Sequence, residues 1–361
     1  MMHVLVIIDD ARRAQEEQSI KDMLLGIQEA DMQVTEILQS PESSRDELVR
    51  FSTDSPLQTP MPLNWILKRR IIDSLSREIG RTLPDAIIAF GQFATPIAHE
   101  LAISLELPLV VECWETDHIR RPPLRPQMAS AFATASSGLA AAMRERNEHH
   151  LVATTPYPIE VVNADFDKTD QPPSIAIIDA ESDIGNTRRI LESLAEIVPA
   201  HPDLHLFIEL GTSKSNVVWR HAESLGLLER TSSFSNASML RPLLGDCTLM
   251  LVANSTCCTR SVIDEAMARG CVVLRPDHPM LTSSDRAHQC LLTESDKGGW
   301  IRAIENLLSD SDRRTRLAEM AHDHVRQQND PNRVISTWKQ LIHEVSANSS
   351  YPLANAGTTG T

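Results

Sequence analysis

Two successive series of short, unbroken apolar runs, each run followed by a helix-period segment, most constrain what this chain can fold into. The first series opens with HVLVIID (3–9), passes through a helical segment (16–30) to MQVTEIL (32–38), and continues with DAIIAFG (85–91), LPLVVECW (107–114), LVATT and PIEVV. Between these runs lie a helix with Trp65, Ile72, Leu75 and Ile79 on one face, a second over 93–106 and a third over 138–148. The polar, proline-bearing stretch NADFDKTDQPP (163–173) reads as a linker, and the polar segments 39–62 and 115–127 read as loops. The pattern restarts at Ser174 with SIAIID, LHLFIEL (204–210), a strand near 231–234, CTLMLVA (247–253) and CVVLRP (271–276). Helices over 187–198, 215–226 and 260–269 separate these runs, and helices over 297–308, 312–328 and 331–345 close the series. Strands that are apolar on both faces and alternate with amphipathic helices belong to parallel sheets covered on both sides. The expected fold is α/β, with two doubly wound, Rossmann-like parallel-sheet domains facing each other across a cleft.

The length of 361 residues suits two domains of roughly 150–180 residues each. The expected boundaries are 1–165 and 174–330, with a small polar, disordered tail over 346–361. No apolar run approaches the roughly 20 residues of a transmembrane helix. The opening MMHVLVIIDD has no basic n-region and reads as a strand rather than a signal peptide. A net charge of −15 argues against a nucleic-acid partner and against general binding to anionic membranes. Cys113, Cys247, Cys257, Cys258, Cys271 and Cys290 form no C-x-x-C pair and no zinc spacing, which points to a reducing, cytoplasmic setting without a metal site. The fingerprints G-x-G-x-x-G, P-loop, G-x-S-x-G and H-E-x-x-H are all absent.

In doubly wound sheets, ligands bind outside the carboxyl ends of the strands. The loops expected to carry chemistry are therefore 9–15, 91–95, 112–127, 179–187, 210–216, 253–260 and 275–285. Asp9 and Asp10 end the first strand, where a carboxylate is expected to cap the following helix, with facing the cleft as the alternative. Glu112, Glu115, Asp117 and His118 follow a strand of the first half; such a cluster either orients hydroxyl groups or is simply solvated. In the second half, Ser255, Thr256, Thr259 and Ser261 precede or open a helix, with Ser261 and Asp264 spaced as an S-x-x-D capping box. That helix N-terminus also suits an anion. Arg188, Arg189, Lys214 and Arg260 are cations in or beside strand-end loops, and Glu265 is four residues before Arg269, the spacing of a helical ion pair.

The run DEAMARGCVVLRPD (264–277), the preceding LLGDCTLMLVANS and the following LLTESDKGGWIRAIENLLSDSDRRTRLAEMAHDHV resemble, in order and spacing, the GT-B glycosyltransferases of the family 4, or group 1, type. PDAIIAFGQFATPIAHELAISLELPLVVE and AFATASSGLAAAMRER extend the resemblance into the first half, so that it covers about residues 80–345. The resemblance implies GT-B architecture, with an acceptor-side first domain, a nucleotide-sugar-side second domain, and a last helix (331–345) that returns to the first. It also implies metal-independent transfer of a sugar, with retention of configuration, from a nucleotide-sugar to a glycan, lipid-linked or small-molecule hydroxyl acceptor. No cofactor is implied.

The family carries two glutamates eight positions apart; the second, which contacts the nucleotide ribose, is matched by Glu265, and the first falls on Cys257. Where the family has a glycine-rich loop before the second glutamate, this chain reads CCTRS. Where the family places an Arg and a Lys after the first strand of the second domain, this chain has IIDAESDIGNTRR, with Asp179, Glu181 and Asp183. Carboxylates there repel a diphosphate. The donor-side set is thus Glu265, Ser255, Thr256, Cys257, Thr259, Arg260, Arg188 and Lys214, and the acceptor-side set is Glu112, Glu115, Asp117 and His118; no catalytic residue is assigned. Two functions follow: a glycosyltransferase weak toward common UDP- and GDP-sugars, or a non-catalytic relative that binds a nucleotide, a glycan or a protein partner. A sugar-phosphate epimerase of the same fold rests on fold analogy alone. Convergence of Arg188, Lys214 or Arg260 on one point near Glu265 separates the first two.

Overall fold

In the computed structural model, residues 1–39, 57–59, 65–79, 82–121, 124, 129–146, 150–161, 164–166, 168, 171–211, 214–256, 259–282, 287–292 and 294–347 are described. The chain divides into two units: unit 1 is Met1–Pro156 together with the chain from Asn332, and unit 2 is Tyr157–Pro331. The division falls ahead of the 163–173 stretch because residues from Tyr157 on already pack with unit 2. Ile159 is buried in its core and donates its N–H to the Asn329 carbonyl (2.9 Å). PIEVV, expected as a strand, pairs with no strand over its described residues. Lys168 is buried and donates its ammonium to the Cys247 carbonyl at 2.7 Å, and Phe166 packs on unit 2's core.

Unit 1 runs β1 (Met2–Ile8), α1 (Asp10–Glu29), β2 (Met32–Gln39), β3 (Leu57–Thr59), α2 (Trp65–Ile79), β4 (Ala86–Phe90), α3 (Ala94–Leu105), β5 (Leu109–Glu112), α4 (Asp117–Arg120), β6 (Ala131–Thr134), α5 (Ser137–Arg146) and β7 (Leu151–Thr154). Its seven strands are parallel, in the order β3-β2-β1-β4-β5-β6-β7. Every residue of β4 is buried, so both faces of the sheet are covered, as its unbroken apolar run requires. β3 and α4 lie in segments read from the sequence as loops; of the former loop, residues 40–56 and 60–62 lie outside the described residues.

Unit 2 runs β8 (Ser174–Ile178), α6 (Ile184–Ile197), β9 (His205–Glu209), α7 (Ser215–Ser224), β10 (Thr231–Phe234), α8 (Ala237–Leu240), β11 (Leu249–Val252), α9 (Ser261–Ala268), β12 (Val272–Pro276), β13 (Cys290–Leu292), α10 (Lys297–Ser309) and α11 (Ser311–Gln328). Six parallel strands are ordered β10-β9-β8-β11-β12-β13. The strand period of two sends Ile175, Ile177, Leu249 and Leu251 into one core cluster, with the fully buried Trp300 of α10. Ala176, Ile178, Met250 and Val252 enter the other, with Ala266 of α9 and Val325 of α11.

The last helix, α12 (Pro331–Ala347), packs on unit 1, where the Trp338 and Phe90 rings lie 5.9 Å apart. Most of the expected tail, from residue 348 onward, lies outside the described residues. Among the described residues, no helix is long and apolar enough to cross a membrane.

Candidate functional site

Each sheet has one point where the strand order reverses, the place where doubly wound folds bind ligands. In unit 1 it falls between β1 and β4, and in unit 2 between β8 and β11. At unit 2's switch point the Ala253 N–H bonds the Ile178 carbonyl (3.0 Å), after which the two chains part. One continues as 179–183 into α6, the other as 253–260 into α9. Asn186 ties them together: its amide donates to the Ala253 carbonyl (2.8 Å), and its oxygen accepts from the buried Trp300 indole (3.0 Å).

The three carboxylates that follow β8 are all engaged. Asp179 takes a left-handed conformation (φ +55°), uncommon for a residue with a Cβ. Its Oδ1 meets Arg260 Nη1 at 2.5 Å, and Arg260 Nη2 meets Glu209 Oε1 at 2.9 Å. The Asp179 N–H also donates to Glu209 Oε2 (2.8 Å). Only 3% of the Arg260 side chain is exposed, so this is a buried cluster of two carboxylates on one guanidinium. Burial pushes the Asp179 carboxyl above its usual range, against the pull of Arg260. Asp179 Oδ2 is buried and accepts no hydrogen bond among the described residues. Glu181 accepts from the Gly211 N–H (2.7 Å) and the Ser215 hydroxyl (2.8 Å), which binds the β8 and β9 loops together. Asp183 caps α6 through the Asn186 N–H (3.0 Å) and accepts from the Ser255 hydroxyl (2.5 Å).

The donor-side residues expected from the sequence divide accordingly. Ser255, Arg260 and Lys214 come together around the 179–183 loop, Lys214 through a bond from its ammonium to the Glu181 carbonyl (3.3 Å). Thr256 bonds Asn254 instead (2.8 Å), and Thr259 is half-buried beside Arg260 in the chain. Arg188 is not in this group: it lines a groove between α6 and α7 with Asn216, Arg220 and His221. Cys257 lies outside the described residues. Ser261 does not serve as the N-cap: Arg260 is the N-cap of α9 without a side-chain cap bond, Ser261 is the first helical residue, and Asp264 accepts from Asn329 (3.1 Å). Glu265 does not pair with Arg269. It is gripped by Arg241, with Nε at 2.5 Å from Oε2 and Nη2 at 2.7 Å from Oε1, and the two side chains are 11% and 14% exposed. Arg241 is thus a cation paired with Glu265, while Arg260 pairs with Asp179 and Glu209 and Lys214 bonds the Glu181 carbonyl. Sequence reading missed Arg241 and Glu209, whose partners lie 24 and 51 residues away, beyond any local spacing rule.

At unit 1's switch point Asp9 caps α1 as expected, accepting the Arg12 N–H (2.8 Å), and reaches across to the Phe93 N–H (2.8 Å). Gly91 takes φ +102° beside it, and a Cβ there would overlap the Asp9 carboxylate. Burial pushes the Asp9 carboxyl up. Of the acceptor-side residues, Glu112 is buried and committed to the Arg12 fork (2.9 and 2.7 Å), and Arg12 lies 4.9 Å from the Trp114 ring. His118 Nδ1 accepts the Trp114 N–H (3.3 Å), so Nε2 carries the proton and faces Glu115 at 3.2 Å. Both ring nitrogens are thus in use. That bond holds the Glu115 carboxyl below its usual range. Glu115 and Asp117 keep accessible surface; Glu112 and His118 do not. Among the described residues, no group of three or more His, Cys, Asp or Glu side chains is arranged to hold a metal ion.

The sequence matches no protein-family model. Over 157 residues it is 26% identical to the lipopolysaccharide core biosynthesis glycosyltransferase LpsE of Rhizobium meliloti, covering 43% of this chain and 46% of that one. The match thus spans about half the length of the curated relative. Among solved structures, the chain is similar to sucrose-phosphate synthase from Thermosynechococcus elongatus (TM-score 0.78, 11% identity, 96% of this chain and 100% of that one). It is also similar to HepE of Anabaena in complex with UDP and glucose (TM-score 0.67, 14% identity, 96% and 100%). A third is a putative UDP-N-acetylglucosamine 2-epimerase from Listeria monocytogenes (TM-score 0.69, 14% identity, 95% and 97%). The fold is that of the GT-B glycosyltransferases.

Proposed function

We propose that this GT-B-fold chain transfers a sugar from a nucleotide-sugar to a hydroxyl acceptor, with the nucleotide held by unit 2 and the acceptor by unit 1. The observation that carries this reading is Glu265 in the middle of α9, the helix that follows β11, buried to within a tenth of its surface and oriented by the Arg241 guanidinium fork. It is the residue matched to the family's ribose-contacting glutamate. The similarity to LpsE, named as a glycosyltransferase, and to HepE, solved with UDP and glucose, supports the same ligand class. On the acceptor side, Glu115 and Asp117 are the carboxylates with surface to offer. Transfer without a metal and with retention of configuration belongs to this proposal too.

The leaving diphosphate needs positive charge most when its bond to the sugar breaks. Arg260 stands at the right strand end but is already shared by Asp179 and Glu209. Slow turnover follows. Release of UDP from UDP-glucose and related UDP-sugars, with and without saccharide acceptors, tests the reading. Turnover is slow and falls at least about tenfold in Glu265→Ala, the loss expected for a charge-assisted hydrogen bond. Turnover that is indifferent to that substitution contradicts the assignment of Glu265.

A further inference from the structure

We propose that Arg241 is a positioning residue for the nucleotide, holding the Glu265 carboxylate in the one orientation from which it selects a ribonucleotide over a deoxyribonucleotide. The inference rests on the reading of Glu265 given above and adds a residue and a substrate class to it.

Arg241 is anchored on both sides. Leu240 and Leu244, which flank its short 3-10 turn, are fully buried, and Pro242 restricts the backbone of that turn. α8, immediately before, is capped by Asn236, which accepts the Met239 N–H (3.3 Å). The guanidinium therefore projects from a fixed backbone. Its two bonds to Glu265, at 2.5 and 2.7 Å, run to separate oxygens and fix the plane of the carboxylate as well as its place. A single ammonium makes a point contact and leaves that plane free to turn.

Orientation matters because a ribose diol presents two hydroxyls at fixed separation. The fork engages both Glu265 oxygens and so sets the directions in which the carboxylate accepts. Charge matters as well. Asp179, Glu209, Arg260 and the buried Arg275, whose charge also acts on Asp179, sum to zero if all are ionised. An unpaired Glu265 would add a negative charge near a ligand that carries a diphosphate. Arg241 cancels it, so the ribose meets an oriented but neutral pair.

Calorimetric titration of UDP, 2′-deoxy-UDP and 3′-deoxy-UDP into the wild type, Arg241→Gln and Arg241→Lys tests this. The readout is the ratio of affinities within each protein, which a partly unfolded sample leaves unchanged. The wild type prefers UDP by about tenfold or more, and both variants fall to within about threefold, since a hydrogen bond to a charged group is worth at least a factor of ten. Loss in Arg241→Lys shows that the fork, not the charge alone, is needed. A ratio that is unchanged or raised in both variants overturns the role of Arg241 and leaves the Glu265 reading standing. A wild type that binds UDP no better than its deoxy analogues, or binds none of them, overturns both.

Discussion

Asp179 follows β8 in unit 2, where the resemblance to the GT-B glycosyltransferases leads one to expect a cation, and it shares Arg260 with Glu209. A guanidinium with two carboxylate partners has little left for a phosphate. Replacing Asp179 by Asn keeps one oxygen acceptor and removes a charge, so UDP binding should tighten by about tenfold, the effect of roughly 1.4 kcal/mol. Titration calorimetry checks this. Removing both carboxylates is a different matter: Asp179→Asn with Glu209→Gln leaves the buried Arg260 guanidinium without the two charges that offset it, and a loss of about 3–5 kcal/mol of stability is expected. Part of this chemistry was legible in the sequence. The acidic run after β8 and a capping carboxylate at Asp9–Asp10 follow from local order. Glu209 and Arg241 were not legible, because buried ion pairs between loops leave no trace in spacing along the chain.

The long strands and helices announce themselves by period, and they appear close to where the sequence places them. The exceptions are short. β3 and β13 have three residues each, too few for any apolar period, and they become strands because a neighbouring edge offers unpaired backbone groups. The S-x-x-D signal at Ser261 failed for a geometric reason: the extended residue is Arg260 (φ −130°, ψ 126°), so Ser261 is already inside the helix and its hydroxyl has no N-cap geometry. α12 is the element whose position in sequence says least about its place in the fold, since it follows unit 2 and packs on unit 1. Trp338, 2% exposed, carries much of that packing. Trp338→Ala should destabilise unit 1 by about 3–5 kcal/mol, the usual range for a buried aromatic. Hydrogen exchange should then show lost protection in β1, β4 and α1 while unit 2 is unchanged. Equal loss in both units would mean that α12 does not belong to unit 1 alone.

For the molecule as a whole, two parallel sheets with one switch point each give two places for ligands, and the chain has filled them differently. Unit 1's switch point is locked by Asp9 and Gly91, and its accessible carboxylates lie further along, after β5. Unit 2's holds the carboxylate–guanidinium cluster, with the Arg241–Glu265 pair beside α9. Nucleotide binding by unit 2 is the claim on which sugar transfer, the role of Arg241 and the effect of Asp179 all depend. Hydrogen exchange with and without saturating UDP-glucose tests it most directly, because a bound ligand slows opening of the segments that hold it by up to RT ln(1 + [L]/Kd). Slower exchange is predicted in the described parts of 179–187, 209–216 and 253–268 and in the Arg241 turn, and it should vanish in Glu265→Ala. Unchanged exchange in those segments, or slowing confined to the α6–α7 groove around Arg188 and Arg220, would contradict it.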